Sequence, residues 1–320
     1  MPATLPAELR QVFERFYTTE YVTVDGRGQP IAWPVTPYPH EDGTCLDVTT
    51  GLGYPKKAHD AEHNPQVALL FSEPFGSGVE EPPMVLVQGI ARVDGEDLAA
   101  NRERYRREGK VKLPKANEKL PPPALDRFMR WYVDRLYVHV RPQRIFVWPK
   151  GDVTAEPQLL DADLEEVRSG HSEEPEVDRA APQGGRPAWD PRIDQMGTKY
   201  PTAVLAVIAP DGFPFAARVP VRADRDGGLV HIEALPAGFP LAPGLACVTA
   251  HAHGPQFEWQ RNFQVRGDLV ETEQGWAVSP HKLVGGFEVP EGQVAVLREN
   301  FKKVLRYRKI AKAELAKRAS

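Results

Sequence analysis

Residues 49–57 read Thr-Thr-Gly-Leu-Gly-Tyr-Pro-Lys-Lys and lead into a short helical pattern that Asn64-Pro65 stops. Hydroxyls at a strand end, a glycine-containing turn and two lysines at a helix start converge on one point. Helix N-terminal N–H groups, hydroxyl donors and ammonium groups together make an anion site of the kind a phosphate ester requires. Thr49, Thr50, Lys56 and Lys57 are its candidate residues. Surface charge alone would account for two lysines; the threonines, glycines and helix start around them favour phosphate.

Two histidine patterns compete with this reading. His59, Glu62 and His63 match H-x-x-E-H, the inverted zinc-protease spacing. That helix is cut off at Asn64-Pro65 and a third ligand would have to come from elsewhere, so a solvated helix beside a phosphate site is the better account. His251 and His253 share one face of a strand, an edge that a metal or haem could use, although a polar pair exposed at a strand end is the plainer reading. Cys45 and Cys247 are too few for a disulfide framework or a thiolate zinc site, and no metal is expected.

The elements that must position these residues are short and mostly β. A length of 320 residues suggests two domains. The 32 prolines disfavour an all-helical protein and favour short elements joined by stiff loops. A net charge of −4 excludes a generally basic nucleic-acid binder, and 41% hydrophobic residues suffice for a core. No apolar run approaches a membrane span and the N-terminus carries no apolar leader pattern. The expectation is a cytoplasmic protein with neither nucleic-acid nor membrane partners; a small-molecule substrate is what the resemblance given below implies.

Leu9, Val12, Phe13 and Phe16 predict an amphipathic helix over 6–17. Strand patterns follow at 21–24, 31–35, 45–49, 67–71, 84–93 and 137–148, with helices at about 95–108 and 124–136. The Pro- and Lys-rich stretch 111–124 reads as a flap without an element, and 150–198 as an acidic Pro/Gly linker with a short helix at 161–167. The landmarks then recur in order. Asp25-Gly26 and Pro34-Val35 are answered by Asp211-Gly212 and Pro220-Val221, and VQGIARV with Gly89 by VRGDLV with Gly267. A domain-length repeat with a net eight-residue deletion explains the register. The deletion falls on the anion segment, which the second copy replaces with ALPAGFPLAPG, free of basic and hydroxyl residues.

TTGLGYPKKAHDAEHNPQVALLF, VDGRGQPIAWPV and HVRPQRIFVWPKGD resemble the phosphate-binding segment, first hairpin and last barrel strand of pyridoxamine-phosphate-oxidase-like, FMN-binding split β-barrel proteins. The resemblance covers about residues 6–152 and, more weakly, 200–290. It implies a mainly β fold with helical decoration: two tandem antiparallel split barrels of Greek-key type. The division is 1–152 for the cofactor-binding barrel, 153–198 for the linker, 199–290 for a degenerate barrel and 291–320 for a basic C-terminal helix. It further implies an oxidoreductase that uses FMN, with the deazaflavin F420 or haem as alternatives, or a non-catalytic flavin or haem carrier. Lys57, with Lys56, Thr49 and Thr50, would hold the phosphate; Trp33, Pro34 and Val35 would line the ring, with Gln88 beside it. Members pair around the cofactor, so a homodimer or an intrachain pseudo-dimer is expected. In the latter, 256–262 with Trp259 and Arg261, or Lys282, forms the opposing wall. The C-terminal helix, with Phe301, Val304, Leu305 and Ile310 on one side, is expected to dock on the acidic linker or the second barrel.

Overall fold

The computed structural model describes residues 5–120, 122–149, 152–161, 188–286 and 293–319. A short helix α1 (Arg10–Arg15) opens the first unit. Strands β1 (Thr19–Val24), β2 (Pro30–Val35), β3 (Tyr38–Pro39) and β4 (Leu46–Gly51) follow, then α2 (Lys56–His63), β5 (Gln66–Phe71) and β6 (Met84–Asp94). Helices α3 (Leu98–Lys112), α4 (Pro114–Asn117) and α5 (Asp126–Val133) lead to the long β7 (Arg135–Trp148), which β8 (Gln158–Asp161) flanks. The second unit holds β9 (Thr202–Ile208), β10 (Pro214–Asp224), β11 (Leu229–Ile232), β12 (Gly244–His253), β13 (Gln260–Thr272) and β14 (Gly275–Gly285). Helix α6 (Gln293–Ala319) closes the chain.

The first sheet runs β2-β1-β5-β6-β7-β4-β3, with antiparallel pairing throughout, and the second closes as β10-β11-β14-β13-β12-β9. With β9 set against β1, the strand order is the same. The difference lies at one seam. β10 pairs with β11 and completes the second barrel, whereas β2 and β4 do not pair with each other and β3 lies outside β4, so the first barrel is split. Both units carry a register shift at the glycine of the matching strand, between Gln88 and Gly89 and between Arg266 and Gly267. The fold is mainly β with two antiparallel barrels, as the sequence predicts.

The apolar runs of β5 and β6 explain how the units meet. Side chains alternate across a strand, yet QVALLF is buried on both faces, which requires two cores. Val67, Leu69, Phe71, Val85 and Val87 enter the core of the first barrel. Ala68, Leu70, Met84 and Leu86 instead join a core with Val204, Phe215, Ala217 and Val248 of the second unit. Each fully buried Leu or Val contributes about 1.5–3 kcal/mol, so this shared core binds the two units as firmly as a domain interior.

Polar contacts fix the register of that interface. Thr249 Oγ1 and Gln264 Nε2 both donate to the Ala32 carbonyl, at 2.9 and 2.7 Å, which lays β2 along β12 and β13. Deeper in, Glu20 is fully buried and accepts from Arg218 at 3.0 Å and Ser72 at 2.8 Å, with His251 Nε2 at 2.6 Å. Burial opposes the Glu20 charge, but these partners hold its carboxyl below the usual range.

Three expectations change. The stretch 111–124 is not a bare flap, because α3 extends to Lys112 and α4 follows it. Asp97 caps α3 by accepting from the N–H groups of Ala99 and Ala100, and Lys110 and Lys112 suit its negative end. The region read as linker begins with β8, while the helix expected at 161–167 lies, beyond Asp161, outside the described residues. Among the described residues, helix α6 packs on the first unit and not on the second barrel. Val304, Tyr307, Ala311 and Leu315 join the first core, and Leu305 points to solvent. His59 to Glu314 at 2.9 Å and Arg318 to Glu62 at 2.7 Å lock it onto α2.

Candidate functional site

The pairing of β4 with β7 sets Asp47 opposite His139, Thr49 opposite Tyr137 and Gly51 opposite Arg135. Strand alternation puts all six on one face, while Leu46, Val48, Leu136 and Val138 turn into the barrel core. Helix α3 covers the polar face. Arg102 pairs with Asp134, Arg104 with Asp47, and Glu108 accepts from the Tyr137 hydroxyl at 2.7 Å.

Arg135 is the centre of this surface. Its guanidinium lies 4.1 Å from the centre of the Tyr105 ring, 4.9 Å from Tyr132 and 5.9 Å from Tyr54. Nη1 donates to the Tyr54 hydroxyl at 2.7 Å, and Nε is buried without an acceptor among the described residues. Burial works against the cation, and the surrounding phenols outweigh it, so Arg135 stays protonated at any accessible pH. Gly51 permits the approach: a Cβ there would meet the Tyr54 ring at 2.9 Å and Arg135 Nη1 at 3.0 Å.

Two lysines extend the cationic line. Lys57, at the start of α2, lies 5.7 Å over the Tyr54 ring, and burial together with the Arg135 charge lowers its ammonium to about 8. Lys112 lies 5.8 Å over Tyr38, donates to the carbonyls of Phe13 and Pro37 at 3.0 and 2.5 Å, and is lowered by burial to about 7. Among the described residues no carboxylate comes within ion-pairing distance of Arg135, Lys57 or Lys112, because the nearby acids are taken. Asp60 pairs with Lys56 at 2.8 Å, and Glu108 with Arg104 at 2.7 Å. The series Lys57, Tyr54, Arg135, Tyr105, Tyr38, Lys112 therefore runs from the first turn of α2 to β3 and the end of α3. Under-neutralised cations on aromatic faces suit a ligand that is anionic and partly planar.

The residues expected from the sequence fall into several places. Lys57 and Thr49 lie on this surface. Thr50 Oγ1 donates to the Tyr54 carbonyl at 2.8 Å and closes the 50–54 loop. Lys56 is exposed and engaged with Asp60 and Asp25. Trp33 stands opposite Tyr21 in the β1–β2 ladder and shares its strand face with Val35, while Pro34 alternates to the side of Ala32. Gln88 is fully buried between the units, donating to the Pro214 carbonyl at 2.9 Å. Arg261 and Trp259 form a cation–π pair at 5.8 Å in the second unit. Two of the H-x-x-E-H residues are spent on α6, since His59 meets Glu314 and Glu62 meets Arg318, while His63 is exposed. His251 is buried against Glu20 rather than exposed at a strand end. No local sequence pattern marks Tyr38, Tyr105, Tyr132 or Lys112; for Arg135 the signal is an arginine opening the apolar run RLYVHV.

No protein-family model matches the sequence, and no curated protein is similar to it. Solved structures match part of the chain, at low identity and low TM-score. One is a putative pyridoxamine 5'-phosphate oxidase from Listeria innocua, 18% identical over 44% of this chain and 94% of its own, with a TM-score of 0.31. An F420 reductase is 20% identical over 44% of this chain and 98% of its own, at 0.34. The heme storage protein HutZ from Vibrio cholerae is 17% identical over 45% of this chain and 95% of its own, at 0.31. No described helix is long and apolar enough to cross a membrane.

Proposed function

We propose that the chain binds a phosphate-bearing flavin, FMN in the first instance and F420 as the alternative, and acts as an oxidoreductase on a small molecule. The observation that carries this reading is Arg135 with Lys57: two cations on tyrosine faces, with no carboxylate in ion-pairing reach among the described residues. The orphaned Arg135 Nε and the Lys57 ammonium fit a phosphate group. Thr49 lies on the same face. A flavin, when bound, supplies hydride acceptance and donation, and the chain supplies orientation and exclusion of water.

Trp33, Pro34 and Val35 on β2, continued by Tyr38, form the lip for the ring in this reading. In this reading residues 256–262, with Trp259 and Arg261, form the facing wall, and the hold of Thr249 and Gln264 on β2 supports it. The chain then works as an intrachain pseudo-dimer with one phosphate site, on the unit that kept the Thr-Gly-Lys segment. The shared strand order and the paired glycine bulges support descent of the two units from one duplicated domain. Haem is the weaker candidate, because His251 is committed to Glu20 and Arg218.

The visible spectrum of the purified protein tests the assignment. A flavin or deazaflavin band that bleaches on reduction and returns on mixing with an acceptor supports it. A Soret band, or no uptake of any flavin supplied in excess, overturns it.

A further inference from the structure

One row along the β4–β7 ladder from Thr49 and Tyr137 stand Asp47 and His139, and the β3–β4 hairpin brings His40 against them. One ligand atom from each of His40, Asp47 and His139 lies within 4.8 Å of the other two. We propose that these three residues form a divalent metal site that pins the outer hairpin of the split barrel to β4 and β7. Two imidazoles and one carboxylate are a donor set for zinc or another first-row divalent ion, with a fourth position left to water.

The charges around the three residues are arranged for it. Asp47 is fully buried and presents Oδ1 to His139 Nδ1 at 2.7 Å. Its other oxygen meets Arg104, whose guanidinium is shared with Glu108 at 2.7 Å, so Arg104 does not cancel the whole carboxylate. Asp42 lies 2.9 Å from His40 Nδ1, and Asp94 lies 3.9 Å from His139 Nε2. Carboxylates placed behind metal-bound imidazoles orient the rings and raise their basicity. A tetrahedral ion about 2.1 Å from each ligand needs ligand atoms about 3.4 Å apart. His40 is half-buried on a hairpin and meets His139 edge to face with ring centres 5.6 Å apart, so loading the site calls for a side-chain adjustment of His40 and a small opening of the 2.7 Å Asp47–His139 contact.

The site also has a structural purpose. Strand β3 has only two residues and lies at the open edge of the sheet, where a metal clip offsets the weak ladder. The inference is independent of the flavin reading, since neither Lys57 nor Arg135 takes part.

Full-length protein treated with chelator and then titrated with zinc against a chromophoric competitor provides the test. One zinc per chain is expected. His40→Ala and His139→Ala should each weaken it by on the order of 100-fold, at or beyond the range seen when a supporting outer-shell residue is lost. His63→Ala, which changes an exposed histidine of the H-x-x-E-H motif, should leave it intact. His40→Ala alters a surface hairpin residue, so it reports even if His139→Ala does not fold. Absence of a bound zinc in the wild type, or equal affinity in wild type and His40→Ala, overturns the proposal.

Discussion

Arg135 and Tyr54 are 81 residues apart in the chain and joined by a 2.7 Å hydrogen bond in space. The contact ties the start of β7 to the glycine turn before α2, and it sets a cation beside the lysine at that helix start. Tyr54→Phe keeps the ring and removes the acceptor. A hydrogen bond to a charged group contributes about 1.5–3 kcal/mol, so urea unfolding should show a loss of that size. An unchanged midpoint would mean that the bond adds nothing.

Ligand binding should depend on pH in a defined window. Lys57 titrates near 8 and Lys112 near 7, both below the ordinary lysine value because burial disfavours the ammonium. A phosphate monoester gains its second charge at about pH 6. Affinity for a phosphate-bearing flavin should therefore peak between about 6 and 7 and fall as pH rises through 8. For folding of the free protein the sign is opposite. The burial penalty on the Lys57 cation is fully present below about 8 and is relieved toward its unfolded value, so this group adds stability as pH rises over that range. Titrations of binding and of unfolding against pH separate the two trends.

Between the units, Arg218 neutralises the buried Glu20 carboxylate. Arg218→Met leaves that charge with His251 and Ser72 alone, and breaking a buried pair from one side costs about 3–5 kcal/mol. Chemical denaturation should register this as a single large loss. A change below about 1 kcal/mol would show that His251 neutralises Glu20 unaided.

Helix α6 should matter to the first unit. Tyr307 stacks on Trp131 with ring centres 5.3 Å apart and meets Tyr54 at 5.7 Å. Tyr307→Ala should cost about 1–3 kcal/mol, the usual range for a packing loss, and raise proteolysis of the C-terminal helix. Stability and cleavage rate equal to wild type would separate α6 from the cluster.

How much of this is written in the sequence depends on chain distance. Thr49, Gly51 and Lys57 are legible because a turn and a helix start compress the chemistry into one stretch. Arg135, Tyr105 and Tyr132 come from β7, α3 and α5, and only the β4–β7 register and the crossing of α3 bring them to Lys57. No local pattern encodes that crossing. The repetition of one series of strands is legible from recurring landmarks, whereas the sheet order and the two-sided burial of β5 and β6 emerge only in the fold. The docking of α6 is not legible, because Val304, Leu305 and Ile310 suggest one stripe, whereas Val304, Tyr307, Ala311 and Leu315 form the buried one. Choosing between two overlapping stripes requires the partner surface.

In the proposed function Arg135 and Lys57 together read a phosphate. Parallel titration of the full-length protein with FMN and riboflavin, which differ by that group alone, tests it most directly. Charge-assisted contacts at about 1.5–3 kcal/mol imply that FMN binds on the order of 100-fold more tightly. Lys57→Gln with Arg135→Gln should abolish most of this preference and leave riboflavin binding nearly unchanged. Equal affinity of the wild type for the two flavins, or a preference for FMN that survives both substitutions, would contradict it.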